Sequence, residues 1–186
     1  FSQSYLNSRG MARKCDNAWS VGDSGDISTA GGTIAATVQK ISSNSAIIVE
    51  DGQVIPSTTL NDIASTWEST IFPTVTSYFG TAPDVDNNCQ IEIVIFSIDG
   101  AGGIGGYFVP GLSSSTDSLF IDIDDLSWRN TIIAHEFQHL LHNARDPFEF
   151  IWIDEGAADM AAYLCFGVTN TPVSYTHLRA HETSQN

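Results

Sequence analysis

The sequence is short of cations. Seven Lys and Arg stand against 22 Asp and Glu in 186 residues, a formal net charge of −15. Nucleic acids and anionic membrane surfaces are bound through Lys and Arg, so the charge balance argues against both as partners. No apolar run reaches the roughly 18 residues that a membrane-spanning helix needs, and none is expected. Cysteine is scarce as well: Cys15, Cys89 and Cys165 include no CxxC spacing and allow at most one disulfide within the chain, for which Cys15 with Cys89 is the expected pair. The amino end carries no signal-peptide pattern. It opens at Phe1 without a methionine or a recognisable domain start, which predicts an upstream segment.

What is present is enough apolar residue, 42% of the chain, for one domain with a core. Residues 1–32 are rich in Ser, Gly, Asp and Asn without a clear period and are expected to be a loop-rich leading segment. The domain proper is expected over 33–172. Two β-rich runs, Thr33 to Ile41 and Ala46 to Glu50, are joined by Ser-Ser-Asn-Ser and read as a hairpin. Leu60, Ile63, Ala64, Trp67 and Ile71 form a helical stripe that Pro73 should interrupt, with Gly80 as its stop. "QIEIVIFSID" and "SLFIDIDD" read as strands on either side of a glycine-rich stretch. The last residues, Val173 to Asn186, look like translated adapter or vector sequence and are set aside as a non-native tail, together with the i, i+4 pair His177 and His181 that they contain.

Two motifs in the middle region are weaker than they look. Gly100 to Gly105 matches GxGxxG after a strand, but Tyr107-Phe108-Val109-Pro110-Gly111 follows where a dinucleotide fingerprint must open a helix, so a loop is expected. Asp84, Asp86 and Asn88 alternate like the first ligands of a calcium loop. Cys89 and Ile95 stand where an EF-hand needs Gly and Glu, which excludes that motif. A looser Ca2+ site stays open beside the simpler reading, an Asx-rich turn.

The chemistry concentrates in "TIIAHEFQHLLHNARDPFEFIWIDEGAADMAAYLCFG", Thr131 to Gly167. Ile132, Ile133, Phe137, Leu140 and Leu141 have helical spacing, Ser127 or Asn130 can cap the start, and Asp146-Pro147 marks the stop. On that helix His135 and His139 lie one turn apart on one face and can share a metal ion. Glu136, beside them without being a ligand, is placed to take a proton from the attacking water. "WIDEGAADMAAYLCFG" reads as a second helix closed by Gly167, with Glu155 and Asp159 at i and i+4. Glu155 completes three protein ligands and leaves a fourth position open, as catalytic Zn2+ requires. Asp159 is placed to accept the other ring N–H of a ligating histidine. Asp154 points about 100° away from Glu155 around the helix and is the less favoured ligand. His142, off the face of the ligand pair, reads as a surface or packing residue.

HExxH followed by ExxxD on the next helix resembles the gluzincin class of zinc metallopeptidases, with a thermolysin-like zinc site. The run from "IVEDG" through "DVDNN", "GGYF" and "HEFQHLLH" to "WIDEGAAD" is similar to the hyicolysin-like family of secreted bacterial peptidases. The resemblance implies a secreted peptidase acting on proteins or peptides. It assigns His135, His139 and Glu155 as zinc ligands, Glu136 as general base and Asp159 as the partner of the first histidine. The fifteen residues between His139 and Glu155 are fewer than usual in this class and imply a tight connection. His142 and Arg145 stand where the longer metzincin signature wants Gly and His. The fold implied is α+β and zincin-like, a small mixed sheet against an active-site helix and a second ligand-bearing helix, in a fragment cut at both ends. Tyr163 is the one remaining candidate donor to a developing oxyanion before the tail. "SLFIDI" is the candidate edge strand for an extended substrate.

Overall fold

The computed structural model describes residues 15–112 and 115–168; the tail with His177 and His181 lies outside them. The class is α+β. Among the described residues six strands form one mixed sheet: β1 (Ser24–Thr29), β2 (Gly32–Ile41), β3 (Ser45–Glu50), β4 (Ile91–Phe96), β5 (Gly106–Tyr107) and β6 (Ser118–Asp122), in the order β1-β2-β3-β4-β6-β5. β1, β2 and β3 are antiparallel neighbours, β3, β4 and β6 run parallel, and β5 returns antiparallel on β6. β1 corrects the expectation of a loop-rich segment over 1–32. Its Ser-Gly-Asp-Ile-Ser-Thr has little β propensity, and backbone pairing to β2 from Ser24↔Thr37 to Thr29↔Gly32 is what makes it a strand.

The alternation of side chains divides the sheet into two apolar faces. Ile47, Val49, Ile91, Ile93, Ile95, Leu119 and Ile121 point to the face on which the helices lie. Ala36, Val38, Ala46, Ile48, Val94, Phe96 and Phe120 point to the other, where Trp19, Tyr107, Val109 and Leu112 cover them. Because both faces are covered, β4 is buried along its whole length, including Glu92. That carboxylate is satisfied by the Trp19 indole N–H at 2.8 Å and the Asn88 amide at 3.1 Å.

On the helical face, α1 (Ser57–Thr66) runs through a five-residue π turn (Trp67–Ile71) directly into α2 (Phe72–Phe79). Pro73 therefore does not end the helix, as the sequence pattern suggested. The widened turn, in which the Phe72 N–H donates to the Trp67 carbonyl, takes up the lost donor and the bulk of the ring at the start of α2. Gly80 closes α2 with a positive φ of 97° and an extended ψ, a conformation open to glycine. The remaining helices are α3 (Arg129–Asn143) and α4 (Ile151–Phe166), which pack against each other across a seven-residue connection, 144–150. Neither Ser127 nor Asn130 caps α3. Trp128 occupies the cap position without a side-chain bond, and the Thr131 hydroxyl donates instead to the Trp128 carbonyl at 2.8 Å.

α3 is the central helix, buried continuously from Thr131 to Leu141 between the sheet, α2 and α4. This explains why Ile132, Ile133, Ala134, Phe137, Leu140 and Leu141 surround the His-Glu-x-x-His residues: between its first and last turns the helix has no solvent face. Phe137 locks it from behind, with Trp67 at 4.7 Å and Phe72 at 5.8 Å between ring centroids. At the other side Gly105 and Gly106 bring the chain so close that an added Cβ would lie 2.8 and 2.5 Å from the Ile132 side chain. β6 is consequently not the sheet edge beside α3. β5 lies outside it, with Gly106↔Ile121 and Tyr107↔Phe120 paired.

Candidate metal centre

The two α3 histidines and Glu155 of α4 converge as a group able to hold a metal ion. His135 Nε2 and His139 Nε2 are 3.1 Å apart, His135 Nε2 lies 3.4 Å from Glu155 Oε2, and His139 Nε2 lies 3.7 Å from Glu155 Oε1. Ligands about 2.0–2.1 Å from a tetrahedral ion are separated from each other by about 3.3–3.4 Å. The observed triangle is therefore of the right size for one ion. Two imidazoles and one carboxylate form a donor set suited to a borderline cation and leave an open fourth position.

The opposite nitrogens of both rings face carboxylates. His135 Nδ1 lies 3.2 Å from Asp159 Oδ1, the residue that the resemblance gave as its partner. His139 Nδ1 lies 2.9 Å from Asp154 Oδ2. Asp154, considered in the sequence only as a rival ligand, thus sits on the outer side of His139 while Glu155 takes the inner one. With an ion bound, carboxylates so placed would favour the tautomer with Nδ1 protonated and Nε2 free for the shared locus. His142 also joins this arrangement, with Nδ1 2.8 Å from Asp154 Oδ1. It is half-buried rather than a surface residue.

The electrostatics are those of a negative pocket. Burial opposes charging His135, but its bonds to Asp159 and Glu155 and the charge of Glu136 outweigh it and push its pKa up to about 10. His139 is raised too, against burial, by Asp154 and Glu136. Asp154 is disfavoured by burial yet held below the usual carboxylate range by His139 and His142. Protons on the histidines balance part of this negative charge, and a divalent cation bound by Nε2 would take over that role.

Glu136 shares its lack of a hydrogen bond with His135 Nδ1, His139 Nδ1 and Asp154 Oδ1. Those atoms lie against oppositely charged groups at ion-pair distance, and no such contact is found for Glu136 among the described residues. It is 0% exposed, and neither carboxylate oxygen has a hydrogen-bond partner among the described residues. An ionised carboxylate buried in this state costs several kcal/mol unless a cation or a donor faces it, and such groups concentrate where function requires them.

Other sequence candidates fall elsewhere. Tyr163 is exposed on α4, two turns and about 12 Å along the axis beyond Glu155. It is not gathered into the site. Asp84 and Asp86 do meet a third carboxylate, Asp117, which sequence spacing gave no means of finding. Asp84 Oδ1 accepts the Cys89 N–H, Asp86 Oδ1 the Asn88 N–H and Asp117 Oδ2 the Val85 N–H, at 2.8, 3.1 and 2.8 Å. The first two bonds form an Asx-rich turn and the third reaches it from the segment before β6, so that the three carboxylates lie close enough together to hold a metal ion. The Cys15–Cys89 disulfide ties the same loop to the start of the described chain. Gly100 to Gly105 is a loop that leads into β5, not a helix start. Among the described residues no helix is long and apolar enough to cross a membrane. No family model matches the chain, and no curated protein matches it.

Proposed function

We propose that this chain carries the catalytic centre of a zinc-dependent endopeptidase of the gluzincin type, similar to the hyicolysin-like secreted peptidases. The observation that carries the reading is the pairing of an ion-sized triangle, His135, His139 and Glu155, with the buried and partnerless carboxylate of Glu136. A purely structural ion site has no use for such a glutamate. Bound at this locus, Zn2+ would supply a Lewis acid for a carbonyl and would make a water at the open position far more acidic than in bulk.

The chain's own residues do the rest. His135, His139 and Glu155 would hold the ion, and Asp154 and Asp159 would keep both rings turned to it. Glu136 receives the proton of the attacking water and returns it to the leaving amine. An extended peptide pairs along β5, the outermost strand on this side of the sheet, rather than along β6. The Cys15–Cys89 disulfide and the acidic composition support a secreted protein.

The test separates chemistry from metal binding. Glu136→Gln preserves volume and should leave zinc bound while hydrolysis of casein falls by at least about 10²–10⁴-fold, the usual contribution of a positioned base. His139→Ala should lose both zinc and turnover, because two ligands hold a catalytic ion poorly. Zinc content by mass spectrometry and turnover are read on the same preparations. Near-wild-type turnover in Glu136→Gln would overturn the assignment.

A further inference from the structure

His142 has no role in the HExxH pattern, yet it makes one of the closest side-chain contacts near the site. Its Nδ1 lies 2.8 Å from Asp154 Oδ1, while the other oxygen of the same carboxylate lies 2.9 Å from His139 Nδ1. The two oxygens of Asp154 are thus divided between two histidines of one helix. Both are ion-pair contacts at close range, although their angles leave His139 Nδ1 and Asp154 Oδ1 outside hydrogen-bond geometry. The Gln138 amide is 3.4 Å from the same His142 nitrogen, a longer contact that falls within hydrogen-bond geometry.

We propose that His142 is a positioning residue of the metal centre: by holding one oxygen of Asp154 it fixes the other against His139, and with it the first turn of α4. Three features lead to this. Asp154 is about one-third exposed, so burial alone does not immobilise it. A carboxylate in contact at a single oxygen can swing about its Cβ–Cγ bond, whereas one in contact at both, as Asp154 is, cannot without breaking a contact. Asp154 also immediately precedes Glu155, and His142 stands in the last turn of α3 before the 144–150 connection, so the contact staples the two ligand-bearing helices where they join. The bland alternative is a histidine that interacts with the carbonyl end of α3; it requires no particular ring nitrogen.

The inference rests on the metal reading above, and the experiment distinguishes the two. Zinc affinity is measured by chelator competition on the whole chain, and Co2+ absorption reports ligand geometry, for wild type and for His142→Ala, His142→Asn and His142→Gln. Direct partners of metal-bound histidines are worth about 10–100-fold in affinity; acting one bond further out, His142→Ala should cost about 3–10-fold and shift the cobalt bands. Asn presents a donor where Nδ1 stands and should restore both readouts; Gln presents it where Nε2 stands and should not. If the alanine variant fails to fold, the contrast between Asn and Gln, both polar and uncharged, decides the matter.

In an Asp154→Ala background His142→Ala should add nothing, because the two act as one unit. Wild-type affinity in both His142→Ala and His142→Gln, or effects of His142 and Asp154 that multiply, would overturn the proposal and leave the metal reading standing. A wild-type chain whose zinc binding does not depend on His135 and His139 would overturn both.

Discussion

Replacing Gly106 by Ala should destabilise the fold by about 1–3 kcal/mol, the usual cost of forcing a methyl into a filled core. The structure sets the size of the conflict. A Cβ at this position would lie 2.8 Å from the Phe120 carbonyl oxygen and 2.5 Å from Ile132 Cγ2, where ordinary contact begins at 3.4 Å. Relief therefore demands movements of 0.6 Å and 0.9 Å, the differences 3.4 − 2.8 and 3.4 − 2.5. Neither neighbour yields easily. The carbonyl belongs to β6, which is paired on both sides, and Ile132 is β-branched, stiff at χ1 and one turn from His135 on the buried helix. Urea denaturation followed by circular dichroism measures the loss. A second variant, Gly106→Ala with Ile132→Ala, should not recover the full stability, because the backbone conflict remains and a cavity is added. Gly156→Ala is the control: a Cβ there meets nothing within 4 Å, on a helix interior. It should stabilise the chain by about 0.5–1 kcal/mol. If Gly106→Ala lies within about 0.5 kcal/mol of wild type, as a neutral surface change would, the close approach of β5 to α3 is wrong.

The remaining predictions concern the ion. Asp159→Ala should weaken zinc binding by about 10–100-fold, since it removes the carboxylate 3.2 Å from His135 Nδ1; unchanged affinity in a chelator competition would count against the arrangement. For chelator-treated protein, stability should fall as pH rises from about 6.5 towards 10. His135 is raised from 6.5 to about 10 in the fold, so the native state holds the extra proton; its contribution is complete below 6.5 and disappears as pH climbs through about 10. Excess zinc should reverse the trend in melting temperature, because binding displaces that proton and strengthens with pH. A melting temperature of the chelated protein that rises over this range would refute the protonated site.

The parts of this protein legible in its sequence are those set by local periodicity. His135 and His139 share a face because a helix turns once in 3.6 residues, and no tertiary contact is needed to know it. The hairpin of β2 and β3, the strands β4 and β6 and the left-handed Gly167 follow from equally local chemistry. The Cys15–Cys89 pair was also anticipated, although 74 residues separate its members and only the fold brings them together.

What spacing along one element cannot carry is the relation between elements. Glu155 and Asp154 are neighbours with the same functional group, and the approach of α4 to α3 puts one on the inner side of His139 and the other on the outer. The same approach turns His142 from a residue with no evident task into a partner of Asp154. Asp117 meets Asp84 and Asp86 because β6 and the loop before β4 lie side by side, and β1 exists because β2 offers it a free edge. Pro73 passes through a helix because a π turn, stabilised by the packing of Trp67 against Phe72 and Phe137, absorbs what the residue alone would break. Rotation around a single helix is fixed by bond geometry within a few residues. Distances between helices and strands are settled by the packing of a whole core, and the shape of the metal centre belongs to that second kind.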